Sequence, residues 1–559
     1  MIPAIVFRYP SHVCPECRAH LIAYKTERRI VRSYSMGEFT AIHRIMKCSN
    51  HGTLFRSSML ESLVSPHCTY ANDIMVEAAM GRFIKGYSCS EISAGLNNSI
   101  SESHVRLLSN RGMDILMEIH EENIPRLKDA MNSYVLHIDG TTDSEFSMVI
   151  VVRDAISGFT LYAEKCHSES FESVKDILVK VKKKFGIPSG AISDMRAGIL
   201  EALEHVFPEI PIRICLMHFL RDLGKDLLSD MHTDLGIMIN KIGIKSPLKS
   251  LLRSIPAYNQ STLYEMEQGF CTDRKGMEAM SVRKILESIL SVNGSSGYGF
   301  PFSLNHLNFY LSCMEAEKKL NDLSGIIKDG DSLKFLNTAI NKIECITKNS
   351  AIKETADRLS DINMLFQKIR NAFRMPEKGN LSDIIEDDDS IHEKCDIVIG
   401  EMEIYLHTNI PNHMFTAAKH IVAKYHERKA MLFANNPEHT IPRTNNNMEQ
   451  FFRKLRRNVR KRCGNIATGN ILAQSGVSLA IFQNMDNPEY VKIVFGDKDI
   501  PSVFGKYRKP FKKPGMTKNR ILKLIDTGTE MMLNDSLPDT PYNDKLMDKA
   551  NEVRSMNVY

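Results

Sequence analysis

The feature that most constrains this chain is the order of elements between residues 134 and 218, where short apolar strands give way to amphipathic helices. Tyr134-Val-Leu-His-Ile138 reads as a buried strand that runs directly into Asp139-Gly140. A second strand, Phe146 to Val152, reaches a turn at Arg153-Asp154-Ala-Ile-Ser-Gly158, and Phe159 to Ala163 pairs back as a third. A helix from about Ser170 to Lys184 follows. Ala191-Ile192-Ser193 forms a short strand ending at Asp194, a helix spans Ala197 to Val206, and Ile212-Arg-Ile214 returns as a fifth strand leading into Cys215-Leu-Met-His218.

Strand-strand-strand-helix-strand-helix-strand-helix is the order of a ribonuclease-H-like α/β fold, a mixed sheet with helices covering its faces. That topology sets the first and fourth strands side by side, so Asp139 and Asp194 would approach one another at one edge of the core. Two ionised carboxylates placed so closely repel, and divalent cations relieve the repulsion. Phosphoryl transfer gives such a pair a use. Two Mg2+ or Mn2+ ions roughly 4 Å apart can activate an attacking hydroxyl and stabilise the departing oxygen, and hard ions call for Asp and Glu ligands.

The third carboxylate of such a site belongs on a helix packed against the sheet. Thr444-Asn-Asn-Asn-Met-Glu449-Gln-Phe-Phe-Arg453-Lys-Leu-Arg-Arg457 supplies it. The Asn residues can cap the helix start, Phe452, Leu455 and Val459 repeat at helical spacing and can dock on the sheet, and Glu449 lies in the first turns. Arg453, Lys454, Arg456, Arg457, Arg460, Lys461 and Arg462 follow. Positions 449, 453, 456 and 460 share one helical face, which would aim the acid and several cations together at a DNA backbone. An exposed charged helix is the plain alternative, and Asp143, Asp154, Glu164 and Glu201 are competing acids.

Nearer the amino terminus, Cys14-Pro-Glu-Cys17 and Cys48-Ser-Asn-His51 form two short knuckles that could close a tetrahedral Cys3His zinc site, a zinc-ribbon-like arrangement. Unrelated free thiols are the alternative, and His12 or His43 could replace His51. Lys25, Arg28, Arg29 and Arg32 between the knuckles could form a phosphate-facing edge or an ordinary solvated surface. From Asn72 to about Ile119 the pattern is helical. Ser88 followed by Glu91 is a capping-box signature, Gly95 to Ile100 can supply a turn, and Ser101-Glu-Ser-His-Val-Arg106 opens a further helix. This is a helix-turn-helix pattern, with Ser103, His104 and Arg106 as candidate base or phosphate contacts; purely structural helical hairpins share it.

The 559 residues, 43% of them hydrophobic, can bury more than one core, and the net charge of +5 says little about partners until its local clustering is considered. The expected division is a zinc-binding module over 1–66, a helix-turn-helix domain over 67–130 and the first part of the sheet core over 131–224. A helical insertion over 225–435, completion of the core by the Glu449 helix over 436–490 and a basic extension over 491–559 would follow. Twelve cysteines without disulfide-scaffold density and no long apolar run point to a soluble, intracellular, cytoplasmic protein, which would be nucleoid-associated if it acts on DNA. The basic stretch Lys506 to Gly515, with Lys518 and Arg520, could contact phosphate nonspecifically or simply solubilise the terminus. No Gly-rich phosphate loop ending in Gly-Lys-Ser/Thr occurs, which argues against an NTP-driven helicase.

His137-Ile-Asp139-Gly-Thr, Ile192-Ser-Asp194, Cys215-Leu-Met-His218-Phe and Asn446-Asn-Met-Glu449-Gln-Phe-Phe-Arg453 together resemble the acidic-triad transposases of prokaryotic insertion sequences, related in design to the Mutator-like elements. The resemblance runs over about residues 12 to 485. It implies that Asp139, Asp194 and Glu449 bind the catalytic metals, that Cys215 and His218 support the site, and that a helical insertion over about 225–435, including Ser303 to Leu323 and Asp361 to Phe373, interrupts the core. It implies transposon-end and target DNA as partners and a homodimer or higher oligomer on DNA. An inactive DNA-binding descendant and a ribonuclease-H-like nuclease without strand transfer are the competing readings.

Overall fold

Among the described residues two sheets organise the chain, and each grows from a stretch in which apolar residues alternate or run together. The computed structural model describes residues 2–96, 99–142, 148–292, 299–374, 388–437, 439–464, 469–507 and 518–533. Residues Met1–Lys506 form one compact unit and Tyr507–Tyr559 a second, in which the helix Lys518–Leu533 is described. Most of the basic stretch 506–515, the acid Asp143 and the expected strand start at Phe146 lie outside the described residues.

The first sheet comprises β1 (Ala4–Arg8), β2 (Leu21–Ser33), β3 (Gly37–Cys48) and β4 (Leu54–Phe55), in the order β1-β3-β2 with β4 also on β3. β2 and β3 form a long antiparallel hairpin, and its turn places Gly37 at φ 74°, where an L side chain would be strained. Period-2 alternation puts Phe7, Val31, Phe39 and Ala41 on one face, closed by Leu60, Val64 and Ala71. The basic run on β2 is not a continuous phosphate edge. Arg29 donates to the carbonyls of Ser65 and Cys68, Arg32 pairs with Glu38 at 2.6 Å, and Lys25 pairs with Glu27 at 3.0 Å. Arg28 remains exposed.

Helices Asn72–Phe83, Cys89–Gly95 and Glu102–Glu122 follow. The expected capping box is present: the Glu91 backbone N–H donates to Ser88 Oγ, and the Ser88 N–H donates to the Glu91 carboxylate. Ser103, His104 and Arg106 are exposed on the first turns of the third helix.

The second sheet is open and mixed, with β5 (Val135–Thr142), β6 (Met148–Asp154), β7 (Thr160–Cys166), β8 (Gly190–Ser193) and β9 (Ile212–Ile214) in the order β7-β6-β5-β8-β9. β5, β6 and β7 pair antiparallel, whereas β5-β8 and β8-β9 are parallel. Each parallel connection carries a helix, Phe171–Phe185 before β8 and Ala197–Val206 before β9. The first and fourth strands of this region are therefore neighbours, as expected. Val149, Val151 and Ala163 on one sheet face pack against Met448, Phe451 and Phe452 of the helix Asn446–Cys463 and against Ala480. From Leu216 to Leu432 the described chain consists of helices and their connections, including Asn305–Ser324 and Ser350–Ala372. No helix among the described residues is long and apolar enough to cross a membrane.

The Glu102–Glu122 helix is tied to this sheet through His120, which is 1% exposed. Its Nε2 lies 3.0 Å from the Leu161 carbonyl, which can only accept, so Nε2 carries the proton and Nδ1 accepts from the Tyr490 hydroxyl at 2.9 Å. A neutral ring satisfies both contacts, and burial pushes its pKa below the ordinary value. The unfolded chain then binds the proton better, so this contribution to stability is present at neutral pH and is lost as pH falls below about 6.5. Thermal unfolding followed between pH 7.5 and pH 5 should show a falling midpoint with a shallower slope in His120→Gln; an unchanged slope would place the acid sensitivity elsewhere.

Candidate active site and metal centre

The site begins where β5 outruns its parallel neighbour. Pairing with β8 stops at His137 opposite Ile192, while pairing with β6 continues through Asp139 opposite Val151 to Thr142 opposite Met148. Asp139 is thus not the end of its strand, as the sequence suggested, but lies three residues inside it. On the β8 side its backbone is already beyond the ladder. β8 ends at Ser193, and Asp194, 5% exposed, follows at once.

Asp139 Oδ1 accepts the Gly140 N–H at 2.8 Å and Oδ2 accepts Nδ2 of Asn445 at 3.2 Å. Burial, and then the charge of Asp194, push the Asp139 carboxyl up to about 7; Glu449 adds to the effect. Asp194 is raised as well, chiefly by burial, although Arg196 donates its N–H to Oδ1 at 3.2 Å and pairs through Nε with Oδ2 at 3.0 Å.

Asn445 is the N-cap of the Asn446–Cys463 helix, yet its side chain makes no capping bond and turns to Asp139 instead. This departs from the expected capping role. Its backbone N–H donates to Cys215 Sγ at 3.1 Å. Burial pushes that thiol up to about 11, so Cys215 is an uncharged acceptor that seats Asn445, not a nucleophile. Three residues on, His218 Nε2 stands 3.8 Å from Glu449 Oε1, as does the Arg221 guanidinium. Burial and the neighbouring Arg221 hold His218 down at about 4, leaving it neutral.

Asp139, Asp194 and Glu449 therefore share one neighbourhood and one electrostatic field. They do not close into a tight cluster; among the described residues, only Cys14, Cys17, Cys48 and His51 form a metal-type group whose ligand atoms all lie within 4.8 Å of one another.

A fourth acid, Glu169, escaped the sequence reading. Its carboxylate pairs with Arg196 and presses on Gly140, where any Cβ would collide with it. Its side chain is 7% exposed, and Oε1 is buried without a hydrogen-bond partner. The only local sign is an acid immediately before a helix, which is too common to single it out.

The seven cations after Glu449 do not act alike. Arg453, Arg457, Arg460 and Lys461 are exposed, and Arg456 donates to Thr141 Oγ1 at 2.7 Å, binding the helix to β5. Lys454 pairs with Asp486, Lys461 donates to the Lys85 carbonyl, and Arg462 lies over the Phe83 ring at 4.9 Å. At 100° per residue, positions 454, 461 and 462 rotate away from the face of Glu449.

At the amino terminus, Cys14 Sγ lies 3.2 Å from His51 Nε2 and Cys17 Sγ 3.5 Å from Cys48 Sγ. Three thiols and one imidazole are the donor set of structural zinc. His51 Nδ1 is held by Thr53 Oγ1 at 2.6 Å, which orients Nε2 toward the thiols. Neither alternative histidine joins the group: His43 Nε2 accepts the Ser57 N–H, and His12 is exposed outside the cluster.

No protein-family model matches this chain, and no curated protein matches it.

Purified protein should release about one equivalent of Zn2+ per chain to a thiol-reactive titrant. Cys17→Ser should lower both the zinc content and the unfolding midpoint, whereas full stability without metal would remove the assignment. The raised Asp139 carboxyl costs stability as pH rises from about 4 to about 7, because the folded form holds the proton more tightly. Asp139→Asn should therefore stabilise the metal-free protein clearly at pH 8 and by little at pH 4. A destabilised variant at pH 8 would contradict that account.

Proposed function

We propose that this protein is a DNA transposase of the acidic-triad type, cutting at transposon ends and joining the freed end to target DNA. The observation that carries the reading is that half-buried Asp139 on β5 and buried Asp194, just past the parallel neighbour β8, share one electrostatic neighbourhood with Glu449, which a helix more than 230 residues away in sequence brings to them. In this reading the five-stranded sheet is a ribonuclease-H-like core, the helices from Leu216 to Leu432 are its insertion, and the helices between residues 72 and 122 are a helix-turn-helix unit.

The donor chemistry fits divalent cations. Oxygen ligands dominate, like charges are gathered where burial disfavours them, and the carboxyl of Asp139 is raised in the way that a cation would reverse. Asp139, Asp194 and Glu449 would hold Mg2+ or Mn2+, which when bound supplies an activated hydroxyl and charge stabilisation at the phosphodiester. The chain's own part is positioning. Asn445 fixes the plane of the Asp139 carboxylate, neutral His218 and Arg221 flank Glu449, and Arg453 and Arg460 on the same helical face would hold the DNA backbone without reading bases. No covalent protein intermediate is required, in keeping with the protonated thiol of Cys215.

The test is incubation of the protein with cloned element ends, a target plasmid and Mg2+, reading both cleavage and joining. Wild type should do both. Asp194→Asn should lower the rate at least ~1,000-fold, and Arg453→Gln should weaken DNA binding across sequences by several-fold. Undiminished reaction in Asp194→Asn would overturn the site. Cleavage without joining would favour a nuclease, and specific binding without cleavage a regulatory protein.

A further inference from the structure

A cavity of about 770 Å³ lies beside the Asn446–Cys463 helix, bounded also by the β6-β7 turn and by the segment from Gln483 to Pro488. It differs from the carboxylate site. The helix residues that wall it are Asn447, Gln450, Phe451, Lys454 and Arg457, rotated by about one residue from the stripe of Glu449, Arg456 and Arg460, with Arg453 at the boundary between the two. Its size falls within the ~300–1,000 Å³ over which small molecules and cofactor units are held, and far exceeds what a phosphate ion alone would fill.

The charge of its wall is positive. Arg153 donates only to the backbone carbonyls of Asn447 and Gly158, and lies 4.4 Å from the centre of the Phe451 ring. Arg453 and Arg457 line the same space, are exposed and have no acidic partner among the described residues. The two acids present are already committed. Asp154 accepts from the backbone N–H groups of Val135, Ile156 and Ser157, and Asp486 pairs with Lys454. Burial lowers Arg153 only to about 10, so it stays charged at neutral pH.

Exposed Asn447 and Gln450 add amides of the type that reads base edges.

We propose that this cavity binds one nucleotide unit of a nucleic-acid strand, its phosphate against Arg153, Arg453 and Arg457 and its base toward the amides of Asn447 and Gln450. A strand is favoured over a free nucleotide because Arg453 also belongs to the exposed cationic face that continues to Arg460. The proposal requires nothing of the carboxylates.

The full chain is titrated with a fluorescein-labelled single-stranded 15-mer by anisotropy, with dAMP and inorganic phosphate as competitors. Arg153→Gln and the exposed change Arg457→Gln are compared with Arg8→Gln, a remote exposed cation, and thermal unfolding checks that each variant is folded. Both cavity variants should weaken the oligonucleotide about ten-fold and Arg8→Gln should not. dAMP should compete better than phosphate in wild type and lose that advantage in Gln450→Ala. Equal effects of Arg457→Gln and Arg8→Gln, or phosphate competing as well as dAMP, would overturn the pocket. If free dAMP binds tightly but the 15-mer is insensitive to Arg153→Gln, a strand is the wrong source and the proposal fails. Asp139→Asn should bind the 15-mer normally, so loss of cleavage with binding retained tests the carboxylate site separately.

Discussion

The structure depends on one long-range apolar contact, the docking of Met448, Phe451 and Phe452 onto Val149, Val151 and Ala163 of the sheet. Nothing local requires a helix so far along the chain to return to β6 and β7. The burial of three large side chains on a strand face that would otherwise meet water supplies the reason. Once seated, the helix presents Asn445 to Asp139 and Glu449 to His218 and Arg221, and Arg456 closes the contact on β5. The polar geometry of the site is thus a by-product of hydrophobic registration.

Buried charge is handled in two ways within a short distance. Arg213, 3% exposed, forms a bidentate pair with Asp388, which also accepts from Arg443, and Arg213 holds the Ile441 carbonyl. That network lowers the Asp388 carboxyl and leaves only the Arg213 Nε without a partner, so it braces β9 against the segment leading to the Asn446–Cys463 helix. Around Asp139 and Asp194 the acids outnumber the cations: Glu449 and Asp222 raise the two carboxyls, and the Asn445 amide that holds Asp139 is neutral. Arg196 is the guanidinium in direct contact with Asp194, and it is shared with Glu169. Two carboxyls held above their ordinary range close to one held below it are the contrast on which the proposed metal site rests.

Much of this was readable from residue order, and the exceptions have physical causes. The helix Ala197–Val206 and strand β9 fall where periodicity put them, the Ser88 to Glu91 capping box is formed, and the four knuckle residues at 14, 17, 48 and 51 do converge. These are local patterns or short ligand spacings. Asp139 was misplaced relative to its strand end because β5 pairs to different lengths on its two sides, which apolar pattern cannot register. Asn445 was expected to cap a helix because that is what Asn does locally; its partner, Asp139, is 306 residues away. Glu169 and the cavity beside Phe451 are assembled from separate segments and leave no periodic trace.

The same helix that carries Glu449 at its head is gripped at its tail by the amino-terminal helices. Asn458 donates to the Ile84 carbonyl, Lys461 to that of Lys85, and Arg462 covers Phe83. A straight helix rises ~1.5 Å per residue, so the twelve steps from Glu449 to Lys461 separate the acid from that anchor by about 18 Å, close to the length of five base pairs of B-form duplex. If the proposed function holds, the helix would work as a measuring rod: a nucleic acid lying along it would have its distance from the carboxylates set by a rigid count of peptide units rather than by a flexible linker.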